Sequence, residues 1–201
     1  ALKKDPISLH LEHLGGNAKW PYDSHGGPFL DSKRIKEVIL KVKKEAQWGK
    51  PLAKGSAQGF AFHFTFGGYV ALITQLKIAE NGKLKVEKIT AAVDIGELIN
   101  PSGAHEQISG GIIDGLNMTL NSLISVREGK IEQDNYHKYP MLRMEEAPNP
   151  DIFFINTQAA LEGVGEMGLP PVAASVCNAI FAITGKRIRS LPVRIHDLSY
   201  S

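Results

Sequence analysis

The sequence has a single cysteine, Cys177, in 201 residues. That excludes an internal disulfide, a cysteine-based zinc site and an iron–sulfur cluster held by this chain alone. No apolar run approaches the ~18–20 residues needed to cross a bilayer. Neither charge is in excess: 23 Lys and Arg stand against 21 Asp and Glu, a formal net charge of +2 that gives no case for a nucleic-acid partner. The opening Ala1-Leu2-Lys3-Lys4-Asp5-Pro6 lacks an initiator Met, an apolar targeting core and an Arg-rich transit pattern. It reads as the interior of a longer protein and assigns no compartment. No Walker loop, serine elbow or strand–GxGxxG–helix unit is present. What is there is an ordinary globular composition, 43% apolar and 22% charged, with 20 glycines. Glycine is thus about a tenth of the chain against a usual ~7%.

Asp5 as N-cap and Pro6 at the first helical position predict a helix, with Ile7, Leu11 and Leu14 on one face and Gly15-Gly16 as its stop. Residues 17–29 are rich in turn formers and predict a loop. A second helix is expected over 32–48 on the spacing of Ile35, Val38, Ile39, Val42 and Ala46. Its other face carries Lys33, Lys36, Lys41, Lys43 and Lys44, which either meet a phosphate or simply face solvent. After a linker at 50–60 the period falls to two. Phe60, Phe62, Phe64 and Phe66 alternate with smaller residues as in a strand with one buried face. Val70 to Ile78, the Asn81-Gly82 turn and Leu84 to Val93 extend this into an antiparallel meander. Asn100-Pro101 opens a helix to about Leu123, whose stripe includes Gly111 and Gly115; glycines there imply packing against bare backbone. A short hairpin at Glu128-Gly129, a strand at Ile152–Ile155 and a helix from Pro170 to Gly185 complete an α+β order of mixed or antiparallel sheets with packed helices. Residues 1–56 are expected as a helical segment with linkers, and 57–201 as the principal domain.

Of the seven histidines, only His10 and His13 share helical spacing, half of what a metal site needs; a plain surface pair explains them equally. Two segments carry chemistry. In Leu161-Glu162-Gly163-Val164-Gly165-Glu166-Met167-Gly168, glycines permit a sharp turn or close approach to a ligand. Glu166, near the start of the last helix and held in a dry cleft, would be a general base; an exposed Glu in a connector fits the same spacing. In the second segment, Asp94 ends a buried strand and Gln107 precedes Gly110-Gly111. A Gln side chain both donates and accepts, which suits the edge of a heterocycle; alternatively Asp94 and Asn100 cap turns and Gln107 faces water.

The runs VDIGELINPSGAHEQISGGIIDGL, HKYPMLRMEEAP and GVGEMGLPPVAASVCNAIFAITGKRIRSLP together resemble the carboxy-terminal part of the xanthine dehydrogenase/aldehyde oxidase family. The chain is most similar to its molybdopterin-binding large subunits of the isoquinoline 1-oxidoreductase beta-subunit type, over about residues 57–195. The resemblance implies a molybdenum-cofactor-binding fold, Glu166 as the active-site base, Gln107 as a hydrogen-bond partner of the pterin, and Val164 and Gly165 close to the metal. It implies a molybdopterin cofactor, in its cytosine dinucleotide form, in the full-length enzyme. It also implies oxidation of an N-heterocycle or aldehyde with oxygen from water, electrons passing to an iron–sulfur subunit. His10 departs from a frequent Arg and Met167 from a frequent Pro. Family members are much longer, so the chain is expected to be a carboxy-terminal piece, inactive and cofactor-free by itself; a cofactor-free binding or scaffold module is the alternative.

Overall fold

The computed structural model describes residues 3–21 and 27–200. Its centre is a four-stranded sheet in the order β3-β4-β5-β8: β3 (Ser56–Thr65), β4 (Gly68–Ile78) and β5 (Leu84–Asp94) form the antiparallel meander, and β8 (Asp151–Phe154) joins β5 in parallel. Alternation sends successive side chains to opposite faces, and here both faces are covered. On one, Phe60, Tyr69, Ala71 and Ile73 pack with Ile7 of α1 (Pro6–His13) and with Ile35, Val38, Ile39 and Val42 of α2 (Ser32–Glu45). Residues from both sides of position 56 therefore share one hydrophobic cluster. On the other, Val70, Leu72 and Val93 pack with Ile108 and Ile112 of α3 (Pro101–Leu120) and Val176 and Ile180 of α4 (Pro170–Thr184). The central strand β4 is consequently apolar along both of its faces. Val86 and Ile89 reach the same cluster three residues apart because a bulge opposite Gln75/Leu76 inserts one extra residue.

Sheet and helix α4 meet almost backbone to backbone. A Cβ on Gly59 would lie 2.0 Å from the Ser175 carbonyl oxygen and 2.4 Å from the Ala179 nitrogen. The Thr74 and Ser175 hydroxyls share a buried 2.7 Å hydrogen bond across the same interface. At the other end of α4, Gly185 takes a left-handed φ of 69° and closes the helix, as its sequence position predicts.

Four expectations are corrected. The loop over 17–29 contains an antiparallel pair, β1 (Lys19–Pro21) and β2 (Phe29–Asp31). Local sequence does not specify it, because its anchors are distant: the Asp31 amide donates to the Tyr69 hydroxyl, and the Ala18 amide to the Ser32 hydroxyl. The intervening residues 22–26, His25 among them, lie outside the described residues. Strand β3 begins at Ser56, inside the expected linker, since Gln58 holds the Ala46 carbonyl and Gly59 is covered by α4. Phe66 is not the last residue of the alternating face; it sits with Gly67 in the β3–β4 turn, both at positive φ. Helix α3 ends at Leu120, where the amides of Asn121 and Ser122 both donate to the Asn117 carbonyl and the chain turns away. The hairpin at Glu128-Gly129 forms as expected, between β6 (Val126–Arg127) and β7 (Lys130–Ile131).

The lysine face of α2 is largely spent on the protein itself. Lys33 and Lys41 pair with Glu37 and Glu45, and Lys36 donates to the carbonyls of Gly15 and Gly16. His10 lies edge-on to Phe60, and no cluster of three metal-ligating side chains occurs among the described residues.

Gly59→Ala is expected to cost about 2–3 kcal/mol, because the new methyl meets main chain that has no room to yield. At this chain length that lowers the thermal midpoint by roughly 5–10 °C, read by circular dichroism. Burial, with a smaller push from the charge of His13, holds the His10 imidazole below its ordinary pKa of 6.5. The folded state thus resists a proton that the unfolded chain accepts, so this contribution is lost as pH falls through the unfolded value. In an NMR titration His10 is expected to protonate below its ordinary pKa of 6.5, and His10→Gln to flatten the fall in thermal midpoint between about pH 8 and about pH 5.

Candidate functional site

The two segments singled out from the sequence meet at the end of the sheet where β5 finishes. Asn100 caps α3 by accepting from the Gly103 amide at 3.1 Å, and Pro101 supplies its first residue. Gln107 follows in the second turn, exposed, and its Nε2 donates to the Gly165 carbonyl oxygen at 2.6 Å. Residues 58 apart in sequence are thereby joined. Val164 is half-buried against the large cluster, while Gly165 and Glu166 are exposed. The Glu166 side chain makes no hydrogen bond or ion pair with the described residues.

Glycine works in two opposite ways here. Gly168 is clamped: a Cβ on it would stand 2.7 Å from the Ile108 carbonyl oxygen. Gly115 likewise admits the Leu169 carbonyl, with a Cβ distance of 2.9 Å, so α3 receives the loop on bare backbone as its glycine stripe predicts. By contrast, a Cβ on Gly110, Gly163 or Gly165 would meet nothing within 4 Å. The crowded glycines fix the loop, and the open ones leave a free surface beside Gln107 and Glu166.

The expected help from a helix dipole is weak. Helix α4 starts at Pro170, four residues beyond Glu166. Its first two residues are prolines without N–H groups, and the Val172 amide donates to the Leu169 carbonyl. The Glu166 position is instead set by the Gln107–Gly165 bond and by the Leu169 amide, which donates to the Glu166 carbonyl at 3.1 Å.

Beneath the loop lies a buried ion pair absent from the sequence candidates. The Arg34 guanidinium donates to both carboxylate oxygens of Asp94, Nε at 2.8 Å and Nη2 at 2.7 Å, and lies 4.6 Å from the centre of the Tyr69 ring. Asp94 is fully buried and also accepts from the Gly96 amide and the Thr157 hydroxyl, each at 2.9 Å. Burial alone would lower the Arg34 pKa, but the hydrogen bonds and charge of Asp94 raise it above the ordinary value, so the guanidinium stays charged. Asp94 therefore caps a turn, as one sequence alternative held, and also carries the ion pair. The legible signal was Arg34, a cation four residues before Val38 on an otherwise apolar helical stripe, with a buried strand-ending acid to match. Cys177 takes no part: it is half-buried on α4, and burial raises its thiol pKa, the reverse of an activated nucleophile.

The donor set fits one wall of a pterin cofactor site. The Gln107 amide keeps its oxygen free while its nitrogen is held, the glycine faces at 110, 163 and 165 are open, and a carboxylate stands beside them. Such backbone admits a flat, polar ring system at short range.

Comparison with known proteins identifies the family. Residues 30–148 match the molybdopterin cofactor-binding domain family. The chain is 32% identical over 198 residues to the isoquinoline 1-oxidoreductase subunit beta of Brevundimonas diminuta, covering 96% of this chain and 23% of that protein. It is also 32% identical to a membrane-bound aldehyde dehydrogenase (pyrroloquinoline-quinone) of Gluconacetobacter polyoxogenes, covering 98% of this chain and 26% of that one. It thus spans about a quarter of the length of these relatives. Among solved structures, quinoline 2-oxidoreductase from Pseudomonas putida 86 superposes with a TM-score of 0.57 at 25% identity, over 64% of this chain and 18% of that one. With the family model matching more than half of its residues and a 32%-identical relative matching 96% of it, the chain belongs to the molybdopterin-binding subunits of the xanthine dehydrogenase family.

Proposed function

We propose that this chain forms one wall of a molybdenum hydroxylase active site, with Glu166 as the base, Gln107 facing the pterin, and Val164 and Gly165 close to the metal. The observation that carries the reading is the 2.6 Å hydrogen bond from Gln107 to Gly165. It ties the helix bearing the pterin-facing amide to the loop bearing the carboxylate. The substrate class is an aromatic N-heterocycle or an aldehyde, supported by relatives named for isoquinoline and for aldehyde. The cofactor, molybdopterin in its cytosine dinucleotide form, supplies when bound a two-electron oxidation of a carbon centre.

In the net reaction a substrate C–H becomes C–OH with the oxygen of one water, releasing two protons and two electrons. The electrons leave to an iron–sulfur subunit, which fits a chain whose one cysteine cannot hold a cluster. Glu166 takes a proton from the attacking oxygen at a carboxylate oxygen. It is free to do so because no donor among the described residues occupies it. The Gln107 amide would help hold the pterin: Nε2 is committed to Gly165, which leaves Oε1 as the free acceptor. Val164 anchors the loop in the core so that Gly165 and Glu166 keep their positions.

Glu166→Gln in the complete enzyme is expected to lower kcat by roughly a thousandfold or more while molybdenum content stays normal. Activity within tenfold of the parent would rule Glu166 out as the base. Gly163→Ala and Gly165→Ala are expected to leave the thermal midpoint of the chain within about 2 °C, since each methyl enters open space, yet to reduce molybdenum content in the complete enzyme. Gly168→Ala, whose methyl strikes the Ile108 carbonyl, is the control that lowers the midpoint itself. Normal metal loading in both open-face variants would show that this face does not meet the cofactor.

A further inference from the structure

Two neighbouring glycines at the turn joining β3 to β4 each receive a side chain from the loop that carries Glu166. Gly67 has a left-handed φ of 79°. A Cβ on it would collide with the carboxylate carbon and with both carboxylate oxygens of Glu162, so that group lies flat on the bare α-carbon. A Cβ on Gly68 would meet the Met167 methyl at 2.7 Å. Glu162 stands four residues before Glu166 and Met167 directly after it. The proposed base thus lies within a span whose two ends are seated in successive notches of one turn.

The seat of Met167 is apolar, and its side chain is fully buried. That of Glu162 is of another kind. The Glu162 amide donates to the Ile95 carbonyl at 2.9 Å and the residue is half-buried, yet among the described residues none donates a hydrogen bond to its carboxylate. Taking a carboxylate partly out of water without a donor is unfavourable. What offsets it here is charge. Arg34 Nη1 donates to the Gly67 carbonyl at 3.3 Å, which brings the guanidinium to the same glycine. Burial works against the Arg34 cation; after Asp94 and Tyr69, the charge of Glu162 is a further influence that favours it. Between Glu162 and Glu166, a Cβ on Gly163 or Gly165 would meet nothing within 4 Å, so the span has wide backbone freedom unless its ends are held.

We propose that Glu162 is a positioning residue: its carboxylate, drawn onto Gly67 by the charge of Arg34, latches the leading end of the loop to the β3–β4 turn and so fixes Glu166. This rests on the reading of Glu166 as the base and deepens it. Arg34 then serves two carboxylates, Asp94 through direct hydrogen bonds and Glu162 through its field, and the second carries the constraint out of the core to the loop. Glu162 acts through the span it anchors. Displacing a catalytic group by about 1 Å costs on the order of a hundredfold in rate, so a partial loosening is read in kcat rather than in substrate binding.

The test uses the complete, cofactor-loaded enzyme with isoquinoline and benzaldehyde as probes. Glu162→Gln keeps the shape and removes the charge; Glu162→Asp keeps the charge on a shorter stem. For the glutamine variant kcat is expected to fall roughly tenfold with KM within about twofold. Its molybdenum content should be normal and its thermal midpoint within about 2 °C of the parent. The aspartate variant should stand closer to the parent in kcat than the glutamine variant does. Gly67→Asn accepts the left-handed backbone and expels the carboxylate from its seat, so its loss of kcat should be of similar size. Combined with Glu162→Gln it should be no more than about twofold worse than either change alone, because both break one contact. A glutamine variant within about twofold of the parent kcat, an aspartate variant worse than the glutamine one, a loss carried by KM, a loss of molybdenum, or losses that multiply in the double variant would overturn the proposal. If Glu166→Gln is inert while Glu162→Gln matches the parent, the latch alone falls. Activity of Glu166→Gln within tenfold of the parent removes the base and the latch together, as does a loaded parent that oxidises neither probe.

Discussion

The Arg34–Asp94 pair is the constraint on which the site's architecture depends. Removing two charges from water is costly, and the cost is met only where geometry is good and every remaining lone pair is satisfied. Here both carboxylate oxygens receive the guanidinium, and the spare capacity of Asp94 is taken up by the Gly96 amide and the Thr157 hydroxyl. Those partners lie on four separate segments: a helix, the end of a strand, the turn that follows it and the strand-to-loop segment near residue 157. Loss of either charged partner would strand the other in the core, a penalty of about 3–5 kcal/mol. The pair therefore fixes a point in space to which the β3–β4 turn, the start of α3 and the approach to the glycine loop are all referred.

From that point the loop is built by exclusion. From Asp94 to just past Glu166 the chain passes places where a methyl group cannot fit: Gly96 against the Ala160 carbonyl, Gly115 against Leu169, and Gly168 against Ile108. Backbone lying on backbone leaves no flexible side chain between the elements, so the position of α3 is carried to the loop with little slack. A positioned base needs this kind of support, because a displacement of about 1 Å in catalytic geometry costs on the order of a hundredfold in rate. The same contacts explain why Gln107 can span to Gly165 with one side-chain hydrogen bond.

Much of this was legible from periodicity. The change from 3.6 to two at Phe60, the Asn81-Gly82 and Glu128-Gly129 turns, and the glycine stripe of α3 each report a local preference that the tertiary structure keeps. What was hidden depends on partners far away in sequence. The β1–β2 pair is held by the Tyr69 hydroxyl, which sits 38 residues beyond the Asp31 amide that it binds. Strand β3 starts early because α4, more than a hundred residues later, covers Gly59. Arg34 was not singled out from the sequence, because its partner Asp94 lies 60 residues away. At the site, spacing alone left Glu166 and Gln107 each with a bland alternative. The resemblance implies one active site for both, and the fold adds the direct bond between their segments.

The two classes of glycine also make sense of a chain that covers about a quarter of its relatives' length. A self-sufficient domain has reason to keep crowded glycines, because they bring elements together. It has no internal reason to keep Gly163 and Gly165 where nothing approaches, since each costs conformational entropy that Ala would save. Their use has to come from outside the surfaces this chain presents to itself. The same holds for the other groups that the fold positions without satisfying: the Gln107 amide oxygen and the Glu166 carboxylate. All belong to, or are wedged against, one small region at the end of the sheet, while the polar groups of the interior are paired, with no buried side-chain nitrogen or oxygen left without a partner among the described residues. Such a separation, a satisfied core and a cluster of unsatisfied groups at one edge, is what one wall of a larger binding site requires.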